Sequence, residues 1–333
     1  MTRTAVLTGL GAWLPPTVVT NDDLAKRLGI TDEWIHTRTG IRQRHIVDPG
    51  TATSDQAIAA AARALKSAGN RTVDAVVLAT TTPDHPIPAT APTVATRLGL
   101  SEALAFDINA VCSGFVYGLA TASALITAAI ADTVLLIGAD TFSTVVDPKD
   151  PTIAPIFGDG AGAVVLRAGS DDEAGALLAF DLGSDGNLAP LIRQYAGGSR
   201  QRSTTEIPAK GDHYMAMDGK SVFTQAINHM TASSQAVLQR AGRSPREIDR
   251  LIAHQANARI LRAVAHQLEV SHDKVVTNID QVGNTSAASI PLALAHAART
   301  GTLQAGELVL LTAFGGGLTW GSALLQWPSL AVH

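Results

Sequence analysis

Five segments of this 333-residue chain recur in its second half, in the same order and at nearly constant spacing. Asp74-Ala-Val-Val-Leu78 returns 175 residues later as Asp249-Arg-Leu-Ile-Ala253, and Asp132-Thr-Val-Leu-Leu-Ile137 returns at that same spacing as Glu307-Leu-Val-Leu-Leu-Thr312. The helix ends Lys66-Ser-Ala-Gly69 and Gln239-Arg-Ala-Gly242 lie 173 apart, and Phe106-Asp-Ile-Asn109 aligns with Thr277-Asn-Ile-Asp280 at 171. Beyond Asp140 the spacing drops to 159, where Gly162–Leu166 pairs with Gly321–Leu325. The first half therefore carries about sixteen additional residues, 141–156, whose Asp147-Pro-Lys-Asp-Pro151 reads as a loop available for a dimer contact or a substrate tunnel. Strand and helix patterns alternate through both halves. This implies a duplicated α/β fold, 1–170 and 171–333, packed as one layered body.

Composition narrows the function classes. Hydrophobic residues make up 46% of the chain and charged residues 16%, enough apolar material for a large core. A net charge near −4 lacks the basic footprint of a nucleic-acid binder. A single cysteine excludes an internal disulfide and any multi-cysteine metal site, and it suits the cytoplasm. The apolar stretch from Leu119 to Ala131 is interrupted by Thr121, Ser123 and Thr127 and is too short for a membrane span, so a soluble protein is expected.

That cysteine, Cys112, follows a short apolar strand, Ala105 to Asn109, and precedes residues at helical spacing: Phe115, Leu119, Ala122 and Ile126. It thus falls at a strand-to-helix corner, where unpaired N–H groups and the helix dipole favour an anion and a more acidic thiol. A lone cysteine is otherwise most often a buried structural residue. Two further corners strengthen the chemical interpretation. Strand Asp249–Ala253 ends in His254-Gln-Ala-Asn257 before a helix, and strand Val275–Ile279 leads into Asp280-Gln-Val-Gly-Asn-Thr-Ser286 before another, Ile290 to Arg299. In open α/β sheets, reacting groups gather at such carboxyl ends of strands. The turns Phe157-Gly-Asp-Gly-Ala-Gly-Ala163 and Phe314-Gly-Gly-Gly-Leu-Thr-Trp-Gly321 run into strand patterns and not helices. That argues against a dinucleotide loop and leaves close backbone approach to a reacting carbonyl. Asn21 is expected to cap a small helix, Asn21–Leu28.

These motifs, together with Asp32-Glu-Trp-Ile-His-Thr-Arg-Thr-Gly-Ile-Arg42, resemble β-ketoacyl-ACP synthase III along nearly the whole chain. The resemblance implies the thiolase-like αβαβα duplication and no cofactor or metal beyond a coenzyme A thioester used as substrate. It implies that Cys112 takes an acyl group from acyl-CoA, with its own N–H and that of Gly316 as oxyanion hole. His254 and Asn284 would hold the enolate oxygen formed when malonyl-ACP loses carbon dioxide. By the same resemblance, Trp34 and Arg38 meet the coenzyme A adenine and phosphates. Gly219, Phe223, Ala256 and Asn257 line the pantetheine channel, Gln255 and Arg259 meet the acyl carrier protein, Ile87 lies at the acyl pocket, and the protein is a homodimer.

The chain departs from the family pattern at Asp150-Pro151-Thr152, which lacks an adenine-stacking arginine, and at Thr224, His266 and Gln267, where lysines are common. Thiolases require a second cysteine, which is absent. Two other uses of this residue set are transfer of the acyl group to a hydroxyl or amine, and thioester hydrolysis. The retained His254 and Asn284 favour condensation over the first, and the apolar surroundings of Cys112 argue against the second; condensation would be the opening step of fatty-acid or polyketide synthesis.

Overall fold

Ala75–Ala79 and Thr133–Asp140 are apolar without alternation, so a sheet built from them must be covered on both faces. The computed structural model, which describes residues 3–331, satisfies this with two sheets and three helical layers. The first sheet contains β1 (Thr4–Trp13), β2 (Ala75–Ala79), β3 (Leu104–Ile108), β4 (Thr133–Asp140) and β5 (Gly160–Gly169), in the order β1-β5-β4-β2-β3. The second contains β6 (Leu177–Ser184), β7 (Arg250–Ala253), β8 (Leu308–Gly315) and β9 (Thr319–Gln326), in the order β7-β8-β9-β6.

The repeat is visible in the register. Ala75 faces Val134 in a parallel pair and Arg250 faces Val309 in another, each partner 175 residues on. Gly160 faces Asp140 and Thr319 faces Gly315, so the shift to 159 falls in the hairpin of each half. One expected strand is nearly lost. Residues 275–279 reduce to a single parallel bridge, Leu251 with Val275, followed by a short helix, Ile279–Val282. The buried side chain of Gln255 replaces the missing ladder: its amide donates to Val276 O and accepts from Asn278 N. The four-residue helix also explains why the spacing rises from 171 in the strand back to 175 at the corner beyond it.

Alternate side chains of the sheets supply separate cores. Val77, Leu136, Val164 and Leu166 face the helices Gly114–Thr127 and Ser289–Arg299, which form the central layer with β8 and β9 beyond them. Val76, Leu78, Leu135 and Ile137 face the outer helix Thr53–Ser67. On the other side, Leu310 and Leu324 pack on the outer helices Gly219–Arg240 and Ala258–Gln267. The segment 141–156 makes a small core of its own, with Phe142, Val146 and Ile153 against Phe157 and Met215. At the helix Asn21–Leu28 the cap is Thr20, whose hydroxyl accepts from Asp23 N. Asn21 is buried instead, its amide donating to Ile41 O and Asp32 and its carbonyl accepting from Arg44. Among the described residues no helix is long and apolar enough to cross a membrane.

Candidate active site

Cys112 sits where β3 turns into the central helix. Asn109 Oδ1 accepts from Val111 N, Val111 is left-handed at φ 48°, and Val111–Ser113 form one tight turn leading into Gly114. A β-branched residue there is strained, and the surrounding packing must hold it. Gly315, the last residue of β8, lies directly behind. A Cβ on it would stand 2.8 Å from Cys112 N and 2.9 Å from both Ala110 O and Ser113 N. The strand can approach this closely only without a side chain.

The thiol is not acidified, contrary to the expectation from its corner. Burial pushes Cys112 up from 9.0 to about 12; the Ser286 hydroxyl opposes the rise and the Asp140 carboxylate adds to it. A helix N-terminus contributes about 0.3–1 kcal/mol, less than one pKa unit, whereas full burial can move a group by about 3–5 units. Desolvation wins, and Cys112 rests as a thiol.

His254 follows β7, its N–H donating to Thr312 O at 2.8 Å. Burial alone drives its ring down to about 3, so the imidazole is neutral. Nδ1 is sealed without a partner. A buried acceptor without a donor costs less than a buried N–H without an acceptor, which puts the single proton on Nε2, the nitrogen open to the cavity.

Asn284 is stitched to the Phe157 turn on both sides, its N–H donating to Ile156 O and its carbonyl accepting from Gly158 N. Its Oδ1 accepts from Ser286 N at 2.9 Å. That bond fixes the amide's orientation and leaves Nδ2 as a free donor. Cys112, His254 and Asn284 line one cavity of about 150 Å³ with Gly219, Phe223, Ala256 and Asn257. The arrangement offers a thiol sulfur, two neutral N–H donors and a largely apolar cavity.

Comparisons with known proteins agree with this geometry. The family model of 3-oxoacyl-[acyl-carrier-protein (ACP)] synthase III matches residues 106–186, and that of its C-terminal part matches 238–327. The chain is 58% identical over 330 residues to β-ketoacyl-[acyl-carrier-protein] synthase III 5 of Streptomyces coelicolor, covering 99% of each chain. The crystal structure of 3-oxoacyl-(acyl carrier protein) synthase III from Pseudomonas aeruginosa PAO1 superposes with a TM-score of 0.93 at 53% identity, covering 98% of this chain and 99% of that one. The priming β-ketosynthase of the R1128 polyketide pathway superposes at 0.92 with 31% identity, covering 98% and 97%. The chain belongs to the β-ketoacyl-ACP synthase III family. Members of this thiolase-like family are acyl-transferring condensing enzymes that need no cofactor, the coenzyme A thioester being a substrate.

Other residues expected at the site of this synthase III fall in different places. Trp34 and Arg38 share the helix Asp32–Thr39, with the guanidinium 4.4 Å above the indole centroid, and Arg38 O accepts from Asn257 Nδ2. They stand next to the cavity's Asn257 edge. Gly316 is one residue beyond the glycine that touches Cys112, close to the side chains of Ile192 and Val111. Arg259 is exposed, its guanidinium 5.3 Å from the Phe223 ring centroid.

Gln255 corrects the expectation of a carrier-protein contact. It is 0% exposed, and its amide is committed to backbone groups of Ala253, Val276 and Asn278. Ile87 is 87% exposed and does not line the cavity of its own chain. The extra segment, expected to serve a dimer contact or a substrate tunnel, supplies part of the wall, whereas the two-stranded ribbon was not foreseen. Phe142, Ile156 and Phe157 come from the extra segment and its end, and Ile192, Met215 and Met217 from a short two-stranded ribbon.

Proposed function

We propose that Cys112, His254 and Asn284 carry out the two half-reactions of a synthase III at this one cavity, with acyl-CoA as donor and malonyl-ACP as acceptor. The convergence of all three on the cavity, from both halves of the duplication, carries the assignment. Cys112 sulfur attacks the acyl-CoA carbonyl. A new thioester bond forms, the bond to the coenzyme A sulfur breaks, and the thiol proton leaves with that sulfur. The N–H groups of Cys112 and Gly316 hold the oxyanion, a contribution of about 3 kcal/mol per donor. Exchange of one thioester for another is nearly isoenergetic.

Malonyl-ACP then loses carbon dioxide, and the electron pair of the broken C–C bond moves into an enolate whose oxygen accepts from His254 Nε2 and Asn284 Nδ2. The enolate carbon attacks the acyl carbonyl, the Cys112 sulfur departs as a thiolate that takes up a proton from solvent, and 3-oxoacyl-ACP is formed. A neutral histidine suits this step, because donating a hydrogen bond requires no change in its charge.

Gly219, Phe223, Ala256 and Asn257 would line the pantetheine passage, Trp34 and Arg38 would meet the nucleotide end, and exposed Arg259 would meet the acidic carrier protein. A homodimer is supported by the unpaired edge of β3 with half-buried Phe106 and Ile108, and by exposed Ile87. A lone reduced thiol suits the cytoplasm. The test is incubation with labelled acyl-CoA and malonyl-ACP. Carbon dioxide release with a lengthened acyl-ACP supports the reading, whereas free acid or transfer to an alcohol overturns it.

A further inference from the structure

The duplication has made a second copy of the nucleophile's corner, without a nucleophile. Val111 and Ser286, 175 residues apart, are both left-handed, at φ 48° and 51°. Each opens a three-residue turn that runs into a central helix, at Gly114 and at Ser289. Asn109 and Asn284, also 175 apart, each accept the N–H of the residue two further on. Ala287 therefore stands in the place of Cys112.

The strand end behind each corner differs. Behind Cys112 N lies Gly315, which presents no side chain. Behind Ala287 N lies its counterpart Asp140, the last residue of β4, whose Oδ2 accepts from Ala287 N at 3.1 Å. Asp140 Oδ1 gathers Thr81 N at 2.7 Å, Thr82 N at 3.2 Å and the hydroxyls of Thr80 and Thr82. An N–H that one copy holds clear for a transient oxyanion is, in the other, bound permanently by a carboxylate.

We propose that Asp140 is a positioning residue for the condensing site: it locks the turn that aims Asn284 into the cavity and, across Ser286, sets the electrostatics at Cys112. Ala287 and Ser286 are consecutive, and Ser286 N is the donor that fixes Asn284 Oδ1. The Ser286 hydroxyl faces both Asp140 and Cys112 and has no hydrogen-bond partner of standard geometry in the resting site. Among the described residues, the titratable side chains bearing on Cys112 are Asp140 and, across the cavity, neutral His254. Burial pushes the Asp140 carboxyl up, and the hydroxyls and backbone amides that donate to it from the β2 loop and the second corner oppose that rise.

The inference rests on the two half-reactions proposed above, so its test includes a readout independent of them. Asp140→Asn keeps the carbonyl toward Thr81 and Thr82 but turns an NH2 against Ala287 N–H and removes the charge. At pH 8, alkylation of Cys112 by iodoacetamide should then accelerate about threefold. Removing the carboxylate lowers the thiol's pKa, and the added thiolate outweighs its lower intrinsic nucleophilicity. Malonyl-ACP decarboxylation should fall tenfold or more in kcat, while acylation by acyl-CoA is retained. Alkylation unchanged or slowed, or both half-reactions falling together, would overturn the proposal. Ser286→Ala removes only a hydroxyl and serves if the first variant does not fold. It should slow alkylation at pH 8, and a wild-type rate would equally overturn the link.

Discussion

Gly315→Ala tests how the nucleophile's corner is built. The new Cβ would lie 2.8 Å from Cys112 N and 2.9 Å from Ala110 O and Ser113 N, where ordinary contacts begin at 3.4 Å. All three are backbone atoms, so no side chain can swing aside, and the turn must retreat by about half an ångström. Such overpacking costs about 1–3 kcal/mol, which a domain with about 5–15 kcal/mol of stability survives. The shift acts on the Cys112 N–H, which must stand within about 2.7–3.1 Å of the oxyanion. Loss of one such donor lowers the rate by about 10²–10³, or about 2.7–4 kcal/mol. The assay is single-turnover acylation of Cys112 by labelled acyl-CoA, with a thermal melt as the control for folding. A folded variant acylated within threefold of the wild-type rate would refute the claim that strand β8 sets the position of this N–H.

Two further outcomes follow from buried groups. Because burial holds His254 near 3, the decarboxylation rate should show no histidine titration between pH 5 and 8; a break near pH 6.5 would mean the ring is charged in the working enzyme. Arg44, pulled down to about 10 by burial and still cationic, donates to Val19 O at 3.0 Å and to Asn21 Oδ1 and Pro155 O at 2.7 Å. Arg44→Ala orphans the buried acceptors Asn21 Oδ1 and Pro155 O at about 1–3 kcal/mol each, so the melting temperature should drop by several degrees, with cavity residues Ile156 and Phe157 loosened next to Pro155.

The features readable in the sequence are those with a period or a fixed offset. Strands at 74–79, 132–140 and 307–312 are apolar runs that recur at 175, and the structure keeps that offset in its pairing register. Cys112 and His254 stood out because each follows a recurring strand, at spacings of 171 and 175. Side-chain direction inside a loop has no comparable signal. Nothing in His254-Gln-Ala-Asn257 shows that Gln255 turns inward to serve as a strand's partner while Ala256 and Asn257 face the cavity. The strand at 275–279 failed for the same reason, because two of its hydrogen bonds are made by that side chain. Thiol acidity was misjudged because a helix terminus is visible in sequence but complete burial of Cys112 is not. The counterpart of Gly315 was already fixed by the 175 offset as Asp140; its carboxylate gains meaning only once Ala287 N is seen beside it.

The central claim is that one cavity holds two separate sets of donors, one for loading the acyl group and one for making the enolate. Intact-protein mass measurement of Asn284→Ala after acyl-CoA, paired with carbon dioxide release from malonyl-ACP, tests it most directly. The account predicts full acylation of Cys112 with carbon dioxide release reduced by at least about 10², the loss expected for one preorganised donor. Acylation and release failing together would contradict it.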